Sequence, residues 1–184
     1  ENLPITSTMA DVVYVSTSDT AISDSFTFKV NDGNVDSEAA TVSLAITAVN
    51  DVPFATAQSG VAATEQTEVT ITLVGTDPES DAITYIIATL PTNGTFSDNG
   101  TVITADDLPK TTTTADVVYI STSDTATSDS FTFKVNDGTV DSEAATVSIA
   151  ITPVNDLPTK VNLSSLTIDE NTAATEIGTL STED

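Results

Sequence analysis

Residues Ser130–Pro158 read SFTFKVNDGTVDSEAATVSIAITPVNDLP. Phe131, Phe133 and Val135 alternate with Thr132 and Lys134, and Val147, Ile149 and Ile151 alternate with Ser148 and Ala150. Between the two runs, Asn136-Asp137-Gly138 supplies turn chemistry. A period of two sends every second side chain to one face, so this stretch predicts an antiparallel strand pair with one buried side. Asn155-Asp156-Leu157-Pro158 ends the second strand, since proline has no N–H for a ladder.

The same stretch occurs twice. Residues 1–53 align with 106–158 at a constant offset of 105, and 42 of the 53 positions are identical. The chain is therefore an array of repeats. If modules end at Asn-Asp-x-Pro, residues 1–53 are the C-terminal half of one module, 54–158 a complete module, and 159–184 the opening of a third. On that parsing the chain is a segment of a longer one, and copies this alike point to a duplicated spacer.

The rest of the complete module reads the same way. Val69, Ile71 and Leu73 alternate, as do Ile83, Tyr85 and Ile87; Ser97–Gly100 (SDNG) predicts a tight turn, and TADDLP predicts at most one helical turn. Several short strands in about one hundred residues, with no amphipathic helix, predict an all-β Greek-key sandwich.

Composition narrows the function. There are 28 acidic residues against four lysines and no histidine, for a net charge of −24. Nucleic acid and anionic membrane would be repelled. No stretch approaches the ~20 apolar residues a membrane helix needs, and the first residues lack the pattern of a signal peptide; insertion in a membrane is not expected. Cysteine is absent, which excludes disulfides and thiolate metal sites. Self-repulsion of this size favours hard cations such as Ca²⁺, which prefer carboxylate and carbonyl oxygen. Acidity also serves solubility in salty surroundings, and composition does not separate the two.

Many of the carboxylates fall where strands end. In an antiparallel sandwich successive connections alternate between the two ends. With the entry end called upper, Asp77, Glu79, Asp81 and Asp137 are predicted at the upper end. Glu65, Asp124, Asp129, Asn155 and Asp156 are predicted at the lower end. Stacking modules then gathers Asp19, Asp24, Asn50 and Asp51 with Asp77, Glu79, Asp81 and Asp137 at one junction. Glu65, Asp124, Asp129, Asn155, Asp156 and Asp184 gather at the next. Ca²⁺ takes six to eight oxygens in flexible geometry and would relieve such crowding. Asp-Gly and Asn-Asp-x-Pro are also good turn formers by themselves, so a solvated loop stands beside the metal reading for each residue.

FTFKVNDGNVDSEAATVSLAITAVNDVP, residues 26–53, resembles the closing half of a cadherin repeat, and TIDENTAATEIGTLSTED at Thr167–Asp184 resembles the opening of one. The closer similarity is to bacterial cadherin-like and immunoglobulin-like tandem repeats of large secreted, RTX-type adhesins, in which DSFTFKVNDG and VNDxP recur. This resemblance implies a non-enzymatic extender on the bacterial cell surface, serving adhesion or biofilm formation. It also implies Ca²⁺ at the junctions and neighbouring modules of the same chain as partners. Ala48 and Pro153 stand where an animal cadherin linker has a further Asp, which implies fewer ions per junction.

Enzymatic readings fare poorly. Serines have no histidine partner for a triad, and paired carboxylates lack the aromatic platforms of a sugar cleft. Asn93, Asn99 and Asn162 lie in Asn-x-Ser/Thr sequons, expected by chance in a chain so rich in Ser and Thr. The alternative function is a carbohydrate-binding or self-associating accessory module of a secreted enzyme or filament, with strand donation between chains as a further form of self-association.

Overall fold

In a computed structural model, which describes residues 6–7, 11–112, 114–157, 160–163 and 180–183, the opening stretch forms two long strands. These are β12 (Ser128–Asn136) and β13 (Ala145–Thr152), paired antiparallel from Ser128↔Ala150 to Phe133↔Ala145. Phe131, Phe133, Val135, Val147, Ile149 and Ile151 are all buried, as the alternation predicts, while Ser148 and Ala150 face solvent. The turn is wider than Asn-Asp-Gly alone. Asn136 bridges Asp141, and Val135 and Ser142 exchange bonds: Val135 N donates to Ser142 Oγ (3.0 Å) and Ser142 N to Val135 O (2.8 Å). Asp137 Oδ1 accepts the N–H groups of Thr139 and Val140, an Asx-type closure that leaves Gly138 at φ +96°.

The remaining strands complete two sheets. Before β12 run β3 (Phe54–Ala55), β4 (Gln58–Thr64), β5 (Val69–Thr72), β6 (Gly75–Thr76), β7 (Thr84–Thr89), β8 (Gly94–Asp98), β9 (Thr101–Val102), β10 (Lys110–Thr112) and β11 (Asp116–Ser121). One sheet has the order β10-β7-β12-β13-β4, the other β5-β11-β8-β9, with β3 and β6 paired at the side. The fold is a β-sandwich. Its inner faces meet in a core of Ile71, Leu73, Ile87, Phe96, Val117, Tyr119 and the six residues of β12 and β13. Phe96 and Phe131, from opposite sheets, pack with ring centroids 4.5 Å apart. Each such side chain contributes about 1.5–3 kcal/mol on burial.

The turns follow local chemistry. Asn99 (φ 49°) and Gly100 (φ 77°) form the two-residue connection of the β8–β9 hairpin, since both positions need positive φ. TADDLP holds a single 3-10 turn at Ala105–Asp107, closed by a capping box between Thr104 and Asp107.

The first copy of the repeat forms the same hairpin, β1 (Ser23–Phe28) with β2 (Ala40–Ala45), in the same register displaced by 105. Its surroundings differ. Phe28 is 46% exposed and Val30 63%, whereas their counterparts Phe133 and Val135 are fully buried under residues 54–105. Local pairing is thus set by the repeated sequence, and burial by what packs on it. Two further strands, β14 (Lys160–Leu163) and β15 (Leu180–Glu183), pair antiparallel in the segment read as a third module.

Candidate metal centre

Strand direction sorts the loops. β4 and β13 run downward together, β5 runs up, β11 down and β12 up, which puts Glu65, residues 122–127 and the exit segment 153–157 at the lower end. The segments 77–82 and 137–144 lie at the upper end, next to the incoming Asn50-Asp51.

At the lower end, one carboxylate oxygen each of Glu65, Asp124 and Asp156 lies within 4.8 Å of the others. Glu65 is 2% exposed and the other two face solvent. Its position is fixed by the backbone: Glu65 N donates to Thr152 O (3.1 Å), and Glu65 Oε2 accepts from Val154 N (2.8 Å). Gln66 Nε2 donates to the other oxygen at 3.3 Å. Contact with the Glu65 carboxyl, then its charge, burial and the charge of Asp156 raise the Asp124 carboxyl above its usual range. Three carboxylates held this close repel, and a divalent cation among them would reverse the sign of that interaction.

At the upper end the linker docks directly. Asn50 Nδ2 donates to Asp137 Oδ2 (2.9 Å), and Asp51 N donates to Glu79 Oε2 (3.1 Å). The Asn50 amide is the leading cause that lowers the Asp137 carboxyl, reinforced by the N–H groups of Val140 and Thr139. Asp77 Oδ1 caps Asp81 N (2.9 Å) across a tight turn in which Ser80 has φ 67°. Asp77 Oδ2 and Glu79 Oε1 are enclosed yet accept no hydrogen bond. Enclosed carboxylate oxygens without donors suit a hard cation. Asp81 places its N–H, rather than a described carboxylate contact, in this loop.

Other expected residues do different work. Asp129 lies at the lower end but is consumed internally: it accepts Tyr119 Oη–H (3.0 Å) and the N–H groups of Thr92, Asn93 and Ser130. Burial, then the hydrogen bond to Asp129 and its charge, push the Tyr119 hydroxyl up to about 12. Asp24 repeats the arrangement with Tyr14 (2.8 Å) and Ser25 N. The signal was in the sequence, because Tyr14 and Asp24 recur as Tyr119 and Asp129 at the same spacing of ten. Asp19 is exposed and joins no described acidic cluster. Asn155 Nδ2 donates to Asp156 O (2.8 Å), as Asn50 Nδ2 does to Asp51 O (3.0 Å), so the same local bond recurs in both linkers. Asp184 lies outside the described residues.

Residues 50–150 match the family described as the bacterial Ig domain. This chain belongs to that family. Among curated proteins, integrin beta-like protein A of Dictyostelium discoideum is 31% identical over 159 residues, 80% of this chain and 8% of that protein. The Ig-like chain thus spans less than a tenth of that relative's length. Among solved structures it is similar to human mucin-like protocadherin EC1-2, with 17% identity, a TM-score of 0.48, and coverage of 72% of this chain and 69% of that one. The protocadherin GammaB4 extracellular domain is 15% identical with a TM-score of 0.47, covering 80% of this chain and 25% of that one. A bacterial Ig-like sandwich is consistent with an adhesion-type extracellular module. Among the described residues no helix is long and apolar enough to cross a membrane.

Proposed function

We propose that this chain is a non-enzymatic extender of an extracellular bacterial adhesin, built from tandem Ig-like modules with boundaries near residues 54 and 158. It holds a distal binding domain away from the cell. Ca²⁺ at the junctions stiffens the rod. The observation that carries this reading is the buried Glu65 carboxylate facing Asp124 and Asp156 within 4.8 Å at the end from which the chain leaves the sandwich. The docking of Asn50 and Asp51 on Asp137 and Glu79, beside two donor-free carboxylate oxygens, supports the same role for the upper junction. Cation binding at either end ties a linker to a module, converting a hinge into a joint. The three tyrosines favour the extender over a sugar-binding module, since Tyr119 is in the core, Tyr85 packs against Phe133, and Tyr14 bonds Asp24. Thermal melting in Ca²⁺ and in EDTA tests the proposal: an ion that binds only the folded state raises the midpoint by mass action. Identical midpoints across millimolar Ca²⁺ would remove the metal from this reading.

A further inference from the structure

The chain contains two Asn-Gly steps, Asn93-Gly94 and Asn99-Gly100. Such a step can react with itself, because glycine has no Cβ to shield its backbone nitrogen. After its N–H gives a proton to water, that nitrogen attacks the asparagine Cγ. The N–Cγ bond forms, the Cγ–Nδ2 bond breaks, and the departing nitrogen takes up a proton and leaves as ammonia. Water then opens the five-membered imide at either carbonyl, giving aspartate or isoaspartate. Water is the only co-reactant. Attack needs the side chain to leave its partners and the backbone to turn until Cγ meets the nitrogen, so the fold decides which step reacts.

The two steps stand in opposite surroundings. Asn93 is held on every side: its Nδ2 donates to Ser128 O (3.0 Å), its N donates to Asp129 Oδ2 (2.8 Å), and its O accepts from Thr122 N (2.9 Å). Gly94 after it is half-buried and lies against Ile120 O and the Tyr119 ring. Asn99 and Gly100 are exposed at the tip of the β8–β9 hairpin. Neither the Asn99 side chain nor the Gly100 N–H has a hydrogen-bond partner among the described residues. The strand that follows, β9, is two residues long and forms the edge of its sheet, so the turn opens by losing only the Asp98↔Thr101 and Ser97↔Val102 pairs.

We infer that Asn99 is a site of spontaneous conversion to aspartate and isoaspartate, and that the fold shields Asn93 from the same reaction. The product acts on the hairpin in two ways. Isoaspartate adds a backbone carbon to a two-residue turn whose register depends on its length. The new carboxylate also adds to a chain already at −24 and follows Asp98, whose Oδ1 is enclosed and accepts no hydrogen bond. Both loosen β9 and the bond from Ile103 N to Phe96 O beside it (2.8 Å). The inference is independent of the extender reading and of any cation.

The full chain, incubated in mildly alkaline buffer with EDTA, is digested at intervals and its peptides are resolved by chromatography and mass spectrometry. Each conversion adds about one dalton. In the folded chain Asn99 is expected to convert at least about ten-fold faster than Asn93, the factor for a step that must first open two or three hydrogen bonds. In denaturant the two rates are expected to converge. Equal rates in the folded chain, or a faster Asn93, overturn the shielding; an Asn99 that reacts in denaturant and stays intact in the folded chain overturns the site. In the isoaspartate fraction, amide hydrogen exchange at Val102 and Ile103 is expected to rise several-fold with the rest of the sandwich unchanged. Exchange that matches the unmodified chain overturns the loosening of β9.

Discussion

Replacing Glu65 by glutamine keeps the shape and one acceptor for Val154 N while removing the central negative charge of the lower cluster. The substitution acts in opposite directions in the two metal states. In EDTA it relieves repulsion against Asp124, whose raised carboxyl already reports the contact with Glu65, so the melting midpoint should stay or rise. In Ca²⁺ it removes the buried carboxylate of the proposed lower site. At free Ca²⁺ one hundred times the dissociation constant, an ion bound only to the folded state stabilises by about 2.7 kcal/mol. A domain of about 100 residues gains roughly 4–8 °C per kcal/mol, so Ca²⁺ should raise the unsubstituted midpoint by about 10–20 °C and the Glu65→Gln midpoint by only a small part of that. Differential scanning calorimetry of both proteins in both buffers measures the crossing. A glutamine variant that loses stability equally in EDTA and in Ca²⁺ would show that Glu65 is a structural acceptor only, and the reasoning from charge would be refuted.

Three further outcomes follow from other parts of the structure. Gly94→Ala drives a Cβ into Ile120 O and to 2.5 Å from the Tyr119 ring, so it should cost about 1–3 kcal/mol by chemical denaturation. Tyr119 is raised from 10.0 to about 12, so above pH 10 the unfolded chain releases this proton before the folded one does. Stability should therefore fall as pH rises from 10 towards 12, and Tyr119→Phe should flatten that slope in denaturant titrations. Asn50→Ala deletes the donor to Asp137 Oδ2 and should loosen the upper linker, broadening the distance distribution in scattering while costing the sandwich no more than about 3 kcal/mol.

The sandwich was legible because its core strands alternate without interruption, as in Phe131, Phe133 and Val135. Loop placement at the two ends followed from strand direction, and it brought Glu65, Asp124 and Asp156 to the same end. Ligand quality was less legible. Asp124, in the connection before β12, and Asp129, at the start of β12, are both carboxylates of the lower end, yet Asp129 is spent on Tyr119 and three N–H groups while Asp124 faces Glu65. Only packing distinguishes them. The parallel β4–β13 pairing was also hidden, since alternation names a strand's buried face but not its partner, and the bulge at Gly60 shifts the register midway. Exposure in the first repeat shows the same limit, because Phe28 and Phe133 share their local sequence and differ in what covers them.

Small-angle scattering from the chain, titrated with Ca²⁺ and returned to EDTA, is the most direct test of a rod stiffened at its junctions. The maximum dimension should lengthen and the distance distribution narrow with Ca²⁺, reversibly. A distribution that stays the same across the titration would contradict cation-stiffened junctions and leave the Ig-like sandwich with its linkers joined by protein contacts alone.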